Sequence, residues 1–197
     1  MDEGQLSIPL FPLHTVLYPG GPLPLRIFEP RYLDMVSTCL RHGTGLGVCL
    51  IRSGNETGLA ATTYDIGTLS IITYWHMRHD GLLGVTVRGQ QRFRILSEQV
   101  QPNQLTLATV VLLPNEPECD IPAAYLPLAD LLRQMIEQIG HHYDGITKRY
   151  GDASWVSCRL AELLPIGLTQ KQHLLQIDDP LERLKRLGGI VEQLGIR

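Results

Sequence analysis

Prolines spaced through residues 8–36 restrict the possible folds of this 197-residue chain more than any other feature. They alternate with apolar residues and are Pro9, Pro12, Pro19, Pro22, Pro24 and Pro30. Because proline fixes φ and has no N–H, it is excluded from central strands and from helix interiors. The spacing therefore predicts short extended segments at sheet edges, separated by a turn over residues 19–22.

A helix is predicted to begin where this segment ends. Pro30 suits the first helical position after Glu29, and Gly43 suits the C-terminal cap after His42. One face of this helix is expected to be buried through Leu33, Val36 and Leu40.

The segment resembles the beginning of the Lon N-terminal domain family, the substrate-binding domain of the ATP-dependent protease Lon. The resemblance rests on the PLFPL strand, the YPG turn, the LPL strand and the helix start; FEPRY at residues 28–32 is most similar to members in which this domain stands alone. It implies an α+β fold, with an N-terminal PUA-like antiparallel β-barrel that contains one embedded helix, followed by a C-terminal helical bundle.

Alternating apolar residues also predict antiparallel strands up to about residue 113. Asp80-Gly81 is typical of a hairpin turn, and the strand before it is expected to bury one face. That face carries Leu69, Ile71, Trp75 and Met77. A polar, proline-bearing connector follows at residues 114–118, so we place the β-barrel subdomain at residues 1–118.

Beyond the connector the hydrophobic period changes from 2 to 3.6, which predicts a helical subdomain over residues 119–197. Helices are expected at about Ala123 to Gly140, at Ser154 to Leu164, and from Pro180 onward. Capping boxes are predicted at two helix starts, Thr169 with Gln172 and Asp179 with Glu182.

Composition indicates a cytoplasmic protein without a membrane segment. The net charge of −3 gives no general attraction to phosphate backbones or to anionic membranes. The first five residues lack the features of a signal peptide, and no apolar run approaches the roughly 18 residues of a membrane span. The four cysteines have no C-x-x-C spacing and are interpreted as buried small hydrophobes in a reducing compartment: Cys39, Cys49, Cys119 and Cys158.

The sequence lacks the motifs of ATP hydrolysis and of proteolysis. None of its lysines (Lys148, Lys171 and Lys185) follows a glycine, which excludes a P-loop, and no serine lies in a G-x-S-x-G context. The resemblance places the Ser-Lys dyad of Lon in a domain beyond the end of this chain. We therefore predict that the protein is not an enzyme and has no catalytic residues and no cofactor.

The histidines do not predict a metal site. His76 and His79 lie three apart on a strand and so face opposite sides. His141 and His142 are adjacent at a helix end, where neighbouring side chains also diverge.

Six residues are candidates for binding a peptide. Glu29, Arg31 and Tyr32 are the distinctive polar residues of the matched segment; the alternative, which we favour, is that Glu29 caps the helix and Arg31 pairs with a carboxylate. The other three are Tyr74, Trp75 and Met77. For Trp75 and Met77 a core position is favoured over a binding surface, whereas Tyr74 is expected to be exposed.

The leading hypothesis is a non-catalytic protein- or peptide-binding module, because the resemblance implies recognition of unfolded or exposed apolar polypeptide segments. The implied partners are polypeptide clients or a partner protease or chaperone. A client would either add as a strand to a sheet edge or dock in a groove between barrel and helices.

The alternative function is RNA binding by a PUA-like barrel through a stripe formed by Arg88, Arg92 and Arg94. Against it, a strand face with scattered charges is the simpler interpretation, and the chain is acidic with few lysines.

Overall fold

The computed structural model describes residues 4–196, and the side chains of all of these except His141 and His142. The prediction about a leader at Met1 and the interpretation of the His141–His142 pair therefore fall at least partly outside the described residues. Backbone proximity divides the chain into two compact units, Met1–Asn115 and Glu116–Arg197.

The first unit is built mainly from strands. Its described part contains one α-helix, α1 (Pro30–His42), inserted between the second and third strands. The strands are β1 (Gln5–Leu13), β2 (Pro22–Ile27), β3 (Leu46–Ser53), β4 (Thr62–Thr63), β5 (Ile66–Met77), β6 (Leu83–Val100) and β7 (Thr106–Leu112).

The sheet runs in the order β1-β7-β6-β5-β3-β4, and β2 pairs with β6 outside this path. β1 changes partner along its length: residues 5–9 pair with β7, and residues 10–13 pair with β3. The β1–β3 pairing is parallel, whereas the other pairings are antiparallel. The expected α+β class, with a mainly antiparallel sheet and an embedded helix, is confirmed.

The prolines lie where a sheet tolerates them. Pro9 is in register with Leu107 of β7, and Pro12 with Cys49 of β3, so each half of β1 pairs on one side only. β2, which begins at Pro22, pairs with β6 alone. A missing N–H on an unpaired side removes no ladder hydrogen bond, and the predicted edge positions are thereby confirmed.

Helix α1 has the predicted bounds but buries a different face. Its buried apolar residues are Tyr32, Met35, Val36 and Cys39. Leu33 and Leu40 are exposed, so two of the three residues predicted for the buried face were wrong. The predicted and the observed set of buried residues both contain Val36 and both fit helical spacing, so the spacing alone does not distinguish them. Packing against the sheet determines which set is buried. Gly43 ends the helix in the left-handed region at φ 63°, as predicted.

The outer half of β5 is exposed, contrary to the core position favoured for Trp75 and Met77. Their exposed fractions are 57% and 68%. Register shifts between Thr68 and Ser70, and again between Ile72 and Tyr74, interrupt the alternation on which the prediction depended. Tyr74 is exposed, as expected.

Two polar residues occupy the buried half of β5 instead. The Thr68 hydroxyl donates to the Leu17 carbonyl over 2.6 Å, and the Ser70 hydroxyl donates to the Leu46 carbonyl over 3.0 Å. Because both hydroxyls have hydrogen-bond partners, their burial avoids the cost of an unsatisfied polar group.

Phe93 of β6 packs where two glycines leave room for its ring. A Cβ placed on Gly47 or on Gly67 would lie 2.7 Å from the Phe93 Cζ atom. Side chains at these two positions would therefore collide with a fully buried ring. Gly47 and Gly67 allow β3 and β5 to approach this ring.

The second unit is helical. Its α-helices are α2 (Leu126–Ile139), α3 (Ala153–Leu163), α4 (Leu168–Leu175) and α5 (Pro180–Leu194). The predicted cap at Asp179 is confirmed, since its carboxylate accepts from the Leu181 N–H over 2.9 Å. The box predicted at Thr169 was wrong: α4 begins after Gly167, without a side-chain cap, and Gln172 is fully buried.

Charged residues enter the interior of this unit. Arg183 of α5 is only 1% exposed, and its guanidinium donates to both Glu116 carboxylate oxygens over 2.8 and 2.5 Å. It also donates to the Ser157 hydroxyl over 2.9 Å. These acceptors compensate the buried guanidinium for its lost hydration. The same hydrogen bonds hold the connector residue Glu116 against α3 and α5.

Candidate functional site

The first unit contains a cleft of about 360 Å³ beside β2, which we call the β2 cleft. Its walls come from β1, from β2 and the turn after it, from the first turn of α1 and from the loop after β3. The apolar part of the lining is Phe11, Leu13, Leu23, Pro24, Leu25, Ile27, Phe28 and Tyr32. A mainly apolar cleft with a few polar groups at its rim is the usual form of a binding site.

Two aromatic rings form the inner end of the cleft. The centroids of Phe11 and Tyr32 are 4.4 Å apart, with the ring planes tilted by 58°. Burial raises the pKa of the Tyr32 phenol; the neighbouring Arg31 opposes this effect, while Glu29 and Glu56 add to it. Tyr32 therefore contributes a neutral, largely apolar surface at neutral pH.

A buried ion pair supports the rim. Arg31, 5% exposed, donates to the Glu29 carboxylate over 3.0 Å and to the Gln104 carbonyl over 2.8 Å. The other Glu29 oxygen accepts from the Gly58 N–H over 3.1 Å. Glu29 occupies the N-cap position of α1, but its side chain makes no cap hydrogen bond. The predicted pairing of Arg31 with a carboxylate is confirmed, and the predicted cap by the Glu29 side chain is wrong.

The same contacts hold the loop that follows β3. The Arg31 guanidinium reaches the Glu56 carbonyl at 3.5 Å, and the Glu56 carboxylate accepts from the His14 backbone N–H over 2.6 Å. Gln104 also accepts from the Ala60 N–H over 3.2 Å. Glu56 and Thr57 of this loop line the β2 cleft, so the loop is a fixed wall of the cleft.

The free side of β2 is poor in hydrogen-bond donors. Just before β2, Gly21 and Gly89 form a hydrogen-bonded pair, in which the Gly89 N–H donates to the Gly21 carbonyl over 2.9 Å. The Leu23–Val87 pair lies two positions further along the ladder. Hydrogen-bonded pairs alternate along an antiparallel ladder, so Leu23, Leu25 and Ile27 direct their backbone groups toward β6. The residues between them, Pro22, Pro24 and Arg26, face the free side, where the two prolines offer a carbonyl without an N–H.

Trp75 and Met77 lie on the sheet face that also forms one wall of the cleft. Across β2, β6 and β5, Leu25 is in register with Val85 and Val85 with Trp75; in the same way Ile27, Leu83 and Met77 form the next row. Directly opposed residues project from the same face of a sheet. The exposed pair therefore stands two strands from β2, a distance of roughly 10 Å.

The six candidate residues thus fall into three places. Glu29 and Tyr32 line the β2 cleft, and Arg31 lies buried behind its rim. Trp75 and Met77 are exposed on β5, two strands from β2, while Tyr74 stacks on His76 on the other face, with 5.3 Å between ring centroids. The sequence interpretation missed Phe11, Leu13, Leu23, Leu25 and Phe28, although all five lie in the proline-containing segment that it singled out. Phe28 is the exposed one of these five residues.

The proposed arginine stripe is not a solvated face. Arg92 is only 4% exposed and lies in register with the fully buried Thr68. Arg88 is in register with Ile71, and both Arg88 and Arg92 already have partners within the protein. Arg94 is the exposed member, so a row of three phosphate-binding guanidinium groups is not present.

Neither a metal-binding cluster nor a membrane-crossing helix occurs in the described part of the chain. Groups of three or more His, Cys, Asp or Glu side chains able to hold an ion are absent over residues 4–140 and 143–196. Among the helices described, all are too short or too polar to cross a bilayer. The four cysteines are free thiols, and Cys39, Cys49 and Cys158 are buried, as expected for three of the four.

A mixed α+β unit with an apolar cleft beside a proline-containing edge strand, followed by a helical unit, is the class of domain to which this chain belongs. The family model described as the ATP-dependent protease La (LON) substrate-binding domain matches residues 7–193. The chain belongs to this family, and it is a substrate-recognition module by that membership.

The curated relatives are much longer proteins. A Lon protease from Parabacteroides distasonis is 25% identical over 190 residues, which is 92% of this chain and 23% of that protein. A Lon protease from Vibrio parahaemolyticus is 25% identical over 199 residues, or 95% of this chain and 25% of that protein. The chain thus spans about a quarter of the length of the curated relatives it matches.

A solved structure matches over nearly the full length. The Lon N-terminal domain protein from Xanthomonas campestris is 37% identical, with a TM-score of 0.79, and the match covers 93% of this chain and 98% of that one. The N-terminal domain of the Mycobacterium avium complex Lon protease superposes with a TM-score of 0.61 at 17% identity, covering 92% and 96%. The second likeness concerns the fold alone.

Proposed function

We propose that this protein recognises extended polypeptide segments by binding their apolar side chains in the β2 cleft, without catalysing a reaction on them. The observation that carries the proposal is the apolar cleft of about 360 Å³. Within it, Phe28 is 53% exposed, although it belongs to the same wall as the buried Ile27. An exposed aromatic side chain at the mouth of such a cleft favours contact with a partner.

Side-chain docking is favoured over addition of a strand. A strand that joined β2 would need alternating donors and acceptors, yet Pro22 and Pro24 supply only carbonyls on the free side. The exposed Trp75 and Met77 extend the apolar surface beyond the cleft, so a bound segment of several residues would contact both places. Of the candidate residues, Tyr32, Trp75 and Met77 contact the client, and Glu29 and Arg31 hold the cleft in shape.

The proposed partners are unfolded or locally exposed polypeptides, together with a protease or chaperone that acts on them. Family membership supports a role in substrate recognition. We place this role in the cytoplasm, because free, mostly buried cysteines suit a reducing compartment.

Binding of labelled peptides tests the proposal. A fluorescent peptide of about twelve residues with a central Phe-Leu-Phe should bind saturably, and a serine-substituted peptide should bind much more weakly. Phe28→Ser should weaken binding about five- to tenfold, because it removes an apolar contact area worth roughly 1 kcal/mol.

The matched control is Leu59→Ser. Leu59 is 79% exposed and lies outside the cleft lining, so this variant loses an exposed apolar side chain at a different place. Equal affinities for the wild type and Phe28→Ser, with both proteins folded by circular dichroism, would contradict the proposed site.

A further inference from the structure

A second cavity, in the helical unit, is independent of the β2 cleft. It lies between α4 and α5 and has a volume of about 450 Å³; we call it the α4–α5 groove. Its residues recur at helical spacing on each helix, so one face of α4 and one face of α5 form its two sides. Its lining includes the apolar Leu174, Ile177 and Ile190, together with Glu182, Lys185, Arg186 and Gly189.

Gly189 lies on the groove side of α5, at a position where neither the backbone conformation nor the packing requires a glycine. Glycine is the least favourable residue in a helix interior after proline, and α5 contains two in succession, Gly188 and Gly189. Neither has positive φ. A Cβ on Gly188 would make an ordinary 4.0 Å contact with Leu128, and a Cβ on Gly189 would enter open space. Gly189 thus widens the groove at the expense of helix propensity.

The charge at the groove is positive on balance. Lys185 is exposed at its edge and forms no ion pair with any residue that the structure describes. Arg186 pairs with Glu182 over 2.9 Å, with both side chains largely exposed, so this pair is weak and open to exchange. Below these groups lie Leu174, Ile177 and Ile190, which provide an apolar floor.

We propose that the α4–α5 groove binds an apolar polypeptide segment flanked by acidic residues. The apolar side chains would rest on the floor against Gly189, where the missing side chain lets a partner backbone approach closely. The flanking carboxylates of the partner would pair with Lys185 and would replace Glu182 as the ion-pair partner of Arg186. This surface does not depend on the β2 cleft and would let the protein hold a second polypeptide, such as a segment of a partner.

Two charge-swapped peptides test this proposal. Both have about twelve residues and a central Leu-Phe-Leu, and their flanks carry either three Glu or three Lys. The Glu-flanked peptide should bind saturably and lose affinity as salt is raised, and the Lys-flanked peptide should bind at least about tenfold more weakly. Lys185→Glu should weaken the Glu-flanked peptide about fivefold or more and reduce its salt dependence.

The adjacent glycines supply matched variants. Gly189→Leu fills the groove, and Gly188→Ala adds a side chain away from it. Both should raise Tm, because each replaces glycine in a helix with a better helix former. Only Gly189→Leu should lower affinity for the Glu-flanked peptide, by about tenfold or more. Because a peptide with a central Leu-Phe-Leu also suits the β2 cleft, these affinities are compared in the Phe28→Ser background, where the loss caused by Gly189→Leu belongs to the groove.

Two results would overturn the proposal. One is unchanged binding of the Glu-flanked peptide to Gly189→Leu. The other is sedimentation of the wild type as a dimer that Gly189→Leu converts to a monomer, since the groove would then belong to a second copy of this chain.

Discussion

Arg31 is a buried cation that joins separate segments of the first unit. It bonds to Glu29 before α1, to the Gln104 carbonyl in the turn before β7 and to the Glu56 carbonyl in the loop after β3. Its guanidinium also lies 4.5 Å from the Tyr32 ring centroid. Arginine suits this position because its planar fork can serve several acceptors at once, which a lysine ammonium does less well.

Removing this guanidinium should destabilise the first unit. Arg31→Met should lower the free energy of unfolding by about 3 kcal/mol, because Glu29 and two backbone carbonyls lose a buried donor. Urea denaturation followed by fluorescence measures the change. Arg41→Met on the same helix is the control: Arg41 is exposed, so a loss within about 0.5 kcal/mol is expected.

The partner variant shows whether the effect comes from the ion pair. In the double variant with Glu29→Gln, the loss should be smaller than the sum of the two single losses, since both act on one contact. Strict additivity would mean that Arg31 acts through its backbone acceptors and not through Glu29.

At the scale of elements, local patterns predicted most boundaries but not which faces are covered. The bounds of α1 and the cap at Asp179 follow from proline, glycine and aspartate chemistry within a few residues. Trp75 was misplaced because alternation indicates a face of a strand and not how far along the strand that face is covered: it lies opposite the buried Val85, yet it is 57% exposed. The same holds for Met77, which lies opposite Leu83. The burial of Arg183 was not predicted, because it depends on an ion pair with Glu116, which is sixty-seven residues away in the sequence.

The candidate site was predictable only in part for the same reason. The distinctive segment around Glu29 and Tyr32 does line the β2 cleft. Phe11 belongs to the site because β1 packs its ring against Tyr32 of α1. Glu56 belongs to it because its carbonyl lies 3.5 Å from the guanidinium of Arg31. Both contacts join residues that are distant in sequence.

The prolines of β2 should keep the protein from pairing through that strand. Pro22→Val with Pro24→Val restores two N–H groups on the free side and adds β-branched residues, which favour strand pairing. We expect the double variant to self-associate with increasing concentration in sedimentation velocity runs.

A charged pair of substitutions is the control for this prediction. Pro22→Lys with Pro24→Lys restores the same N–H groups but places like charges along the edge, so it should remain at the wild-type sedimentation coefficient. If the valine variant also stays unchanged at all concentrations, the missing donors are not what protects this edge.

For the whole molecule, burial of groups that ionise in alkali predicts a loss of stability at high pH. Burial raises the pKa of the Cys39 and Cys49 thiols and of the Tyr32 phenol in the first unit, and of the Tyr143 phenol in the second. Lys171 acts in the opposite direction, since burial lowers its pKa and favours its neutral form in the folded state.

The sign follows from linkage between proton binding and folding. Each thiol or phenol with a raised pKa in the folded protein contributes stability that is complete below its unfolded pKa, 9.0 for Cys and 10.0 for Tyr. This stability is lost as the pH rises from there through the folded pKa, because the unfolded chain ionises first. The loss is at most about 1.4 kcal/mol per pH unit for each group.

Urea unfolding at a series of pH values between about 8 and 11 measures this dependence. The free energy of unfolding should be flat below about pH 9 and should then fall, and Tyr32→Phe should make the fall shallower because one ionising group is removed. Tyr74→Phe, which removes the hydroxyl of an exposed tyrosine, is the control. A Tyr32→Phe slope equal to that of Tyr74→Phe would show that the Tyr32 phenol ionises as readily in the folded protein as in the unfolded chain, and that its burial against Phe11 does not hold it neutral.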